Sequence, residues 1–350
     1  MIDLFEKSPG GPYLLSHSAG LLPSAARDEF DAHFFTPWAE KPGESWPLWL
    51  DAIDDFRTAL SGLLGGRMAD YCPQPNVSAA LFALLSGLTL EKGRDRIIMS
   101  AHAFPSLGFV AQQAERLGFR FELLEGDPAD IATWEAAMTS DVAVVVAMHV
   151  HSNTSIVSPV AEIAGLARTR GIFSIIDVAQ SAGILPIDVT AWQADALIGS
   201  CLKWLCGGPG AGFLWCPHDL KPLNVGWFSH ENPFDFDIRD FRYAPDARRF
   251  WGGTPSVAPY VLATTGIRTI RDIGVEKILK HNRALIARID PSDRSGKGGT
   301  LCHKPADMEK TMAALTNAGC RYDRRGETLR LSFHIYNTEQ DADIVARCLA

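Results

Sequence analysis

The sequence predicts an α/β protein with a mainly parallel sheet, and three observations carry that expectation. Short apolar runs recur between about residues 55 and 220, segments with helical apolar spacing lie between them, and those segments end in glycine, as helix C-termini often do. RIIMSA (96–101), DVAVVVAMHV (141–150), IFSIIDVA (172–179) and ADALIGSC (194–201) are expected as buried strands. FVAQQAERLG (109–118) and VAEIAGLARTRG (160–171) are expected as covering helices, and PQPNVSAALFALLSGL (73–88) as a turn opening a helix.

Residues 221–260 are rich in Phe, Trp, Pro and Asp without clear periodicity, which predicts a long ordered excursion with aromatic anchors. Beyond about 262 comes a helical run (263–289), an exposed turn or linker, SDRSGKGG, then a helix (306–318), a strand (328–334) and a last helix (338–349). The expected division is an N-terminal segment, 1–15, packing on the small domain, a large domain, 16–260, and a small α+β C-terminal domain, 261–350.

The 350 residues are 47% hydrophobic, enough for a full core. With 33 Lys plus Arg against 41 Asp plus Glu, the net charge of −8 gives no footprint for nucleic acid or an anionic membrane. No stretch of about 18 apolar residues occurs, and the start lacks the basic and apolar regions of a signal peptide, so a cytoplasmic location is expected. The seven cysteines are odd in number and form no C-x-x-C pair, so neither a disulfide framework nor a metal site is expected.

The chemistry concentrates in residues 174–215. Asp177 ends an apolar run, where open α/β sheets place ligand-contacting groups, although an Asp there also serves as a cap. Lys203 follows the next apolar run and precedes Trp204 and GGPGAG. Burial would favour its neutral, nucleophilic amine; the other reading is a lysine snorkelling from a strand end. A pyridoxal cofactor needs both groups, a carboxylate that keeps its ring nitrogen protonated and a lysine at its aldehyde. No G-x-G-x-x-G follows the first strand of the sheet, which counts against a dinucleotide site.

IIDVAQSAGILPIDV and SCLKWLCGGPGAGFLW resemble the cofactor core of class V aminotransferase-like enzymes, a group of aminotransferases, cysteine desulfurases, C–S lyases and kynureninases on the fold type I architecture. The likeness runs, with gaps, over most of the chain. It implies pyridoxal 5'-phosphate (PLP) held by the large domain, Lys203 as its Schiff-base lysine and Asp177 as partner of the pyridinium nitrogen. Gln180 falls where the family bonds the phenolic oxygen. Ser200 matches a phosphate contact, or is a hydroxyl satisfied within its strand. In AHAFPSLGF, Phe104 is the expected ring that stacks on the cofactor, with His102 the alternative. Asn76, Val77 and Ser78 would form a phosphate cradle at a helix N-terminus, or a simple cap.

FWGGTPSVAPY resembles a segment that reaches the partner's phosphate through Thr254, which implies a homodimer with shared active sites. GWFSH would bring Trp227 and His230 to a substrate pocket, or form a buried aromatic turn. In LRLSFHIYNTEQDADIV, Arg330 matches the arginine that grips the substrate α-carboxylate. Asn153 would assist at the carboxylate or a cofactor oxygen, and His17 and Ser18 belong to a segment resembling the one that closes over substrate.

The implied activity is amino transfer on an α-amino acid, with Cβ cleavage (kynureninase-like hydrolysis or C–S lysis) as the alternative, and a catalytically silent PLP-binding relative as a third. Against kynureninase, Leu107 stands where that group has aspartate, Gln180 replaces histidine, and Leu202 replaces the tyrosine beside the lysine. Against a desulfurase, Cys320 is expected in a strand-forming stretch ten residues before Arg330, not on a mobile loop.

Overall fold

The computed structural model describes residues 2–6, 8, 10–292 and 294–350. Met1, Lys7 and Pro9 of the expected N-terminal segment, and Asp293 of the expected linker, lie outside the described residues.

The large sheet takes β1 (Tyr71–Gln74), β2 (Arg96–Ser100), β3 (Arg120–Leu124), β4 (Val142–Met148), β5 (Phe173–Asp177), β6 (Ala196–Ser200) and β7 (Gly212–Trp215) in the order β1-β7-β6-β5-β4-β2-β3. All neighbours are parallel except that β7 is antiparallel to both β1 and β6. Before and within the sheet come α1 (Ala26–Phe30), α2 (Thr36–Glu40), α3 (Ser45–Leu64), α4 (Val77–Gly87), α5 (Pro105–Gln113), α6 (Ile131–Ala137), α7 (Val160–Thr169) and α8 (Val189–Trp192).

The strands sort their side chains by parity, as a pleated backbone requires. Ile98, Val145, Ala147, Ile176 and Leu197 enter one core with Phe56 and Leu60 of α3 and Ile163 of α7. Ile97, Val144, Val146, Ile175 and Ile198 enter the opposite core with Leu81 and Leu84 of α4 and Leu107 of α5. Both faces are therefore covered, and the strands read as nearly continuous apolar runs.

After β7 the chain makes an irregular excursion, with two short 3₁₀ turns at Trp227–Ser229 and Ala247–Phe250, before α9 (Ala258–Ile273). The expected single helical run is α9 plus α10 (Val275–Ala287), because Gly274, at φ +92°, stands in the left-handed region and separates them. Tyr260, Ile267 and Ile270 of α9 and Ile278 of α10 pack in the α3 core; Leu285 and Ile286 of α10 pack in the small layer. That layer is an antiparallel sheet, β8-β10-β9, of β8 (Thr300–His303), β9 (Asp323–Arg325) and β10 (Thr328–Ser332), with α11 (Met308–Asn317) and α12 (Glu339–Leu349).

The N-terminal segment joins this layer: the Leu14 N–H donates to Arg321 O at 2.8 Å, Leu15 bridges Ser332, and Leu14 is fully buried in the small core. Two further boundaries differ from expectation. The helix expected from 109 begins at Pro105, whose fixed φ suits a first turn. Gly298 and Gly299, expected at the end of an exposed linker, are buried; their Cα atoms pass too close to Val150 and to Ile184 and Trp204 to leave room for a side chain.

Candidate active site

The sheet reverses direction of growth at β2, which has β3 on one side and β4 on the other. Open α/β sheets bind ligands at the carboxyl ends of strands near such a point. Met148 ends β4 and pairs in register with Asp177, which ends β5; Ser200 ends β6. Three residues beyond Ser200, Lys203 sits in a tight turn closed by Cys206 N–H donating to Lys203 O at 3.0 Å. Gly20 N–H donates to Leu202 O at 2.9 Å, so the stretch before α1 lies against the backbone beside the lysine.

A cavity of about 440 Å³ opens there. Lys203, Asp177, Gln180, Ser200, Phe104, Asn76, Val77 and Ser78 all line it, together with Met148, Val150, Ser152, Ser106 and Leu202. Lys203 Nζ stands 5.7 Å from the centroid of the Phe104 ring, and of the two rings expected there Phe104 lines the cavity, while His102 is exposed beside His151. Asn76 Oδ1 accepts the Ala79 N–H at 2.9 Å, so Asn76 is the cap of α4 as well as a lining residue. Gly212 of β7 makes this approach feasible, since a Cβ there would fall 2.9 Å from Asn76 Cα.

Burial dominates the electrostatics. It pushes the Lys203 amine down, against the opposing pull of Asp177 and with help from Arg330 and Arg325. It pushes the Asp177 carboxyl up, although Lys203 and the Ala179 N–H, donating to Oδ1 at 2.8 Å, favour the carboxylate. An amine lowered by burial and a buried carboxyl without an ion-pair partner among the described residues thus face one space.

Around the cavity a hydrogen-bonded chain runs from the turns after β5 and β6 to the β9–β10 hairpin. Trp204 Nε1 donates to Gln180 Oε1 at 3.4 Å, and Gln180 Nε2 donates to His17 O at 3.1 Å. His17 Nδ1 meets Ser332 Oγ at 2.7 Å, and its Nε2 lies 3.3 Å from Asp323. Arg330, itself buried, donates from Nε to Asp323 Oδ1 at 2.8 Å, from Nη2 to Oδ2, and from Nη1 to Ser152 O at 2.9 Å. Burial alone would raise the Asp323 carboxyl, but His17 and Arg330 outweigh it and hold it well below the usual carboxylate range. Burial pushes the His17 imidazole down despite Asp323.

Asp323, Ser152 and Arg325 escaped the sequence reading. A signal existed for the first: Gly326 in DRRGETLR marks a hairpin turn, and the resulting register places Asp323 opposite Arg330. Asn153 is partly buried in the turn after β4, and its Oδ1 has no hydrogen-bond partner among the described residues. Ser18 is exposed.

Trp227, His230 and Thr254 stand apart. Trp227 and His230 line a second, mostly apolar hollow with Phe236, Ile238 and Phe241, and Trp227 Nε1 donates to the exposed Thr254 Oγ1 at 3.1 Å. His230 is committed to Asn232 and Asp240 O within its own loop.

Comparison with known proteins agrees with this geometry. The family profile described as aminotransferase class V matches residues 76–320. An uncharacterised aminotransferase, YcbU, of Bacillus subtilis is 26% identical over 315 residues, 85% of this chain and 83% of its own. A kynureninase of Deinococcus radiodurans is 28% identical over 351 aligned positions, 92% of this chain and 84% of its own. Among solved structures, the apo cysteine desulfurase of Thermococcus onnurineus NA1 superposes with a TM-score of 0.83 at 20% identity, covering 97% of this chain and 94% of that one. A variant of the C–S lyase C-DES with glycine covalently linked to its PLP cofactor gives 0.85 at 20% identity, covering 97% of each chain. A profile match over most of the chain, on a mostly parallel sheet covered on both faces whose strand ends gather a lysine and an aspartate, places the protein in the aminotransferase class V family of PLP-dependent enzymes.

Proposed function

We propose that the protein binds PLP through Lys203 and transfers the amino group of an α-amino acid. The observation that carries this reading is that Lys203 and Asp177, brought to the ends of separate strands, line one cavity whose wall also carries the start of α4 and the Phe104 ring. The donor set fits the group. Free N–H groups at the start of α4, with Ser78 and Ser200, suit a phosphate; Asp177 suits a ring N–H⁺; Phe104 suits a ring face; the lowered Lys203 amine suits a carbonyl carbon.

When bound, PLP supplies an electron sink for the α-carbon. The chain's own residues do the rest. Asp177 would accept a hydrogen bond from a protonated ring nitrogen, whose positive charge would offset the burial that disfavours the carboxylate. Gln180 lines the cavity with its amide held at both ends by Trp204 and His17, and would meet the cofactor's phenolic oxygen through its remaining N–H. Lys203, whose amine burial holds below its ordinary range, would serve as the base that takes the α-proton. Arg330, set by Asp323 and Ser152 O, would position the substrate carboxylate, with Asn153, His17 and Ser18 around it. Thr254, Trp227 and His230 belong to a surface through which a second copy would complete each site, so we assign a homodimer. A cytoplasmic enzyme with a large cofactor domain (16–260) and a small C-terminal one (261–350) completes the proposal.

A second reading, cleavage at or beyond Cβ, is favoured by the kynureninases and the C–S lyase among the relatives. Three features of this chain weigh against their particular chemistries. Leu107 is fully buried in an apolar core and Leu202 lines the cavity without a hydroxyl. Cys320 is not in a strand but in the turn before β9, and burial, with Cys348 and Asp341 nearby, pushes its thiol up to about 11; it is a core residue rather than an exposed nucleophile. Supplying PLP-loaded protein with candidate amino acids decides between the readings: amino transfer to an added keto acid supports the first, and release of ammonia and pyruvate, or of a cleaved side chain, supports the second.

A further inference from the structure

Two arginines of the β9–β10 hairpin approach the cavity, and their charges are handled differently. Arg330 is bidentate on Asp323, so that pair carries no net charge. Arg325 has no carboxylate partner among the described residues. It is exposed, yet it does not trail into solvent: Nη1 donates to Ser152 Oγ at 2.9 Å, and its guanidinium carbon lies 5.8 Å from the centroid of the Phe104 ring. Ser152 and Phe104 both line the Lys203 cavity, and the Lys203 amine approaches the same ring at 5.7 Å.

From this juxtaposition we infer that Arg325 is an anion-binding group at the mouth of the cavity and receives a carboxylate of the substrate. The physical reason is one of compensation. A carboxylate arriving at the Arg330–Asp323 pair finds donors but a neutral pair, whereas at Arg325 it finds an uncompensated planar cation, already oriented by a hydroxyl and an aromatic face. Substrate selectivity for a carboxylate would then lie chiefly with Arg325, and Arg330 would position it. The inference rests on the cavity being the amino-acid site proposed above. The carboxylate is either the α-carboxylate or one at the end of the side chain, and two probes separate them.

The experiment is calorimetric titration of PLP-incubated protein with propionate and with succinate, comparing wild type, Arg325→Gln and Arg324→Gln; Arg324, exposed next door, bonds Gly326 O and serves as the control. The expected result is carboxylate binding weakened at least tenfold in Arg325→Gln and unchanged in Arg324→Gln. Loss for both probes identifies the α-carboxylate as the group received; loss for succinate alone identifies a side-chain carboxylate. Wild-type affinity in Arg325→Gln, equal loss in Arg324→Gln, or no carboxylate binding by the wild type overturns the inference. The visible absorbance of the same samples reports separately on PLP binding. An absent chromophore with Arg325-dependent carboxylate binding defeats the cofactor reading alone, and a normal chromophore with unchanged binding defeats this one alone.

Discussion

Asp323 and Arg330 face each other across the β9–β10 hairpin, in register, with Arg330 Nε donating to Asp323 Oδ1 at 2.8 Å. The same carboxylate lies 3.3 Å from His17 Nε2. One acidic side chain therefore ties His17, in the stretch before α1, to the strand that carries Arg330.

Replacing Asp323 by Asn leaves a buried guanidinium without its counter-ion. The predicted loss is about 2 kcal/mol of stability, toward the lower end for a broken buried pair because Asp323 is itself partly exposed. Urea unfolding at neutral pH checks this. Because the folded carboxyl titrates below its unfolded value, its stabilisation is present above pH about 4 and fades as pH falls further, so wild type and Asp323→Asn should converge in acid.

His334 gives a second pH signature. Its Nδ1 accepts the Ile335 N–H at 2.7 Å and its Nε2 meets Trp204 O at 3.0 Å, an arrangement that requires the neutral ring with its proton on Nε2. Burial pushes both His334 and His149 down to about 4. The unfolded chain, with histidines near 6.5, binds more protons between those values, so stability rises with pH across that window. The predicted loss between pH 7 and 4.5 is on the order of 3 kcal/mol per histidine at most, measured by urea unfolding. His334→Gln should flatten part of that slope, and an unchanged slope would contradict the assignment.

Gly212→Ala tests the proposed phosphate cradle. The added methyl would meet Asn76 Cα at 2.9 Å and Asn76 N at 3.0 Å, both backbone atoms that cannot swing aside. We expect a loss of roughly 1–3 kcal/mol and a PLP dissociation constant raised at least tenfold, read by absorbance titration. Asn76→Ala, which removes the cap and one lining side chain but leaves the backbone of the turn in place, should cost about 1 kcal/mol and weaken PLP less.

Phe104→Ala removes the ring shared by Lys203 and Arg325. Phe104 contributes little to the core, being 36% exposed, so thermal stability should hold. PLP affinity should drop about tenfold, the order of one aromatic stacking contact.

Much of this was legible in the sequence. The four buried strands from residue 96 to 201 showed as apolar runs because both sheet faces are covered, and Asp177 and Lys203 showed because each closes such a run. Helix ends were less legible: Gly274 breaks one periodic stretch into α9 and α10, and periodicity alone does not register a single left-handed residue. The hairpin that sets Arg325 and Asp323 beside Arg330 depends on strand register, and Ser152 reaches the same place from a turn more than 170 residues away. Long-range placement of that kind leaves little local trace.

The central claim is that Lys203 is the residue that bonds PLP. Wild type and Lys203→Ala should be incubated with PLP, reduced with borohydride, digested and analysed by mass spectrometry, with absorbance recorded before and after reduction. The account predicts a visible band in the wild type that reduction moves to shorter wavelength, one phosphopyridoxyl-modified peptide containing Lys203, and no lysine adduct in the variant. A wild type that stays colourless with added PLP, or an adduct at another lysine that survives in Lys203→Ala, would contradict it.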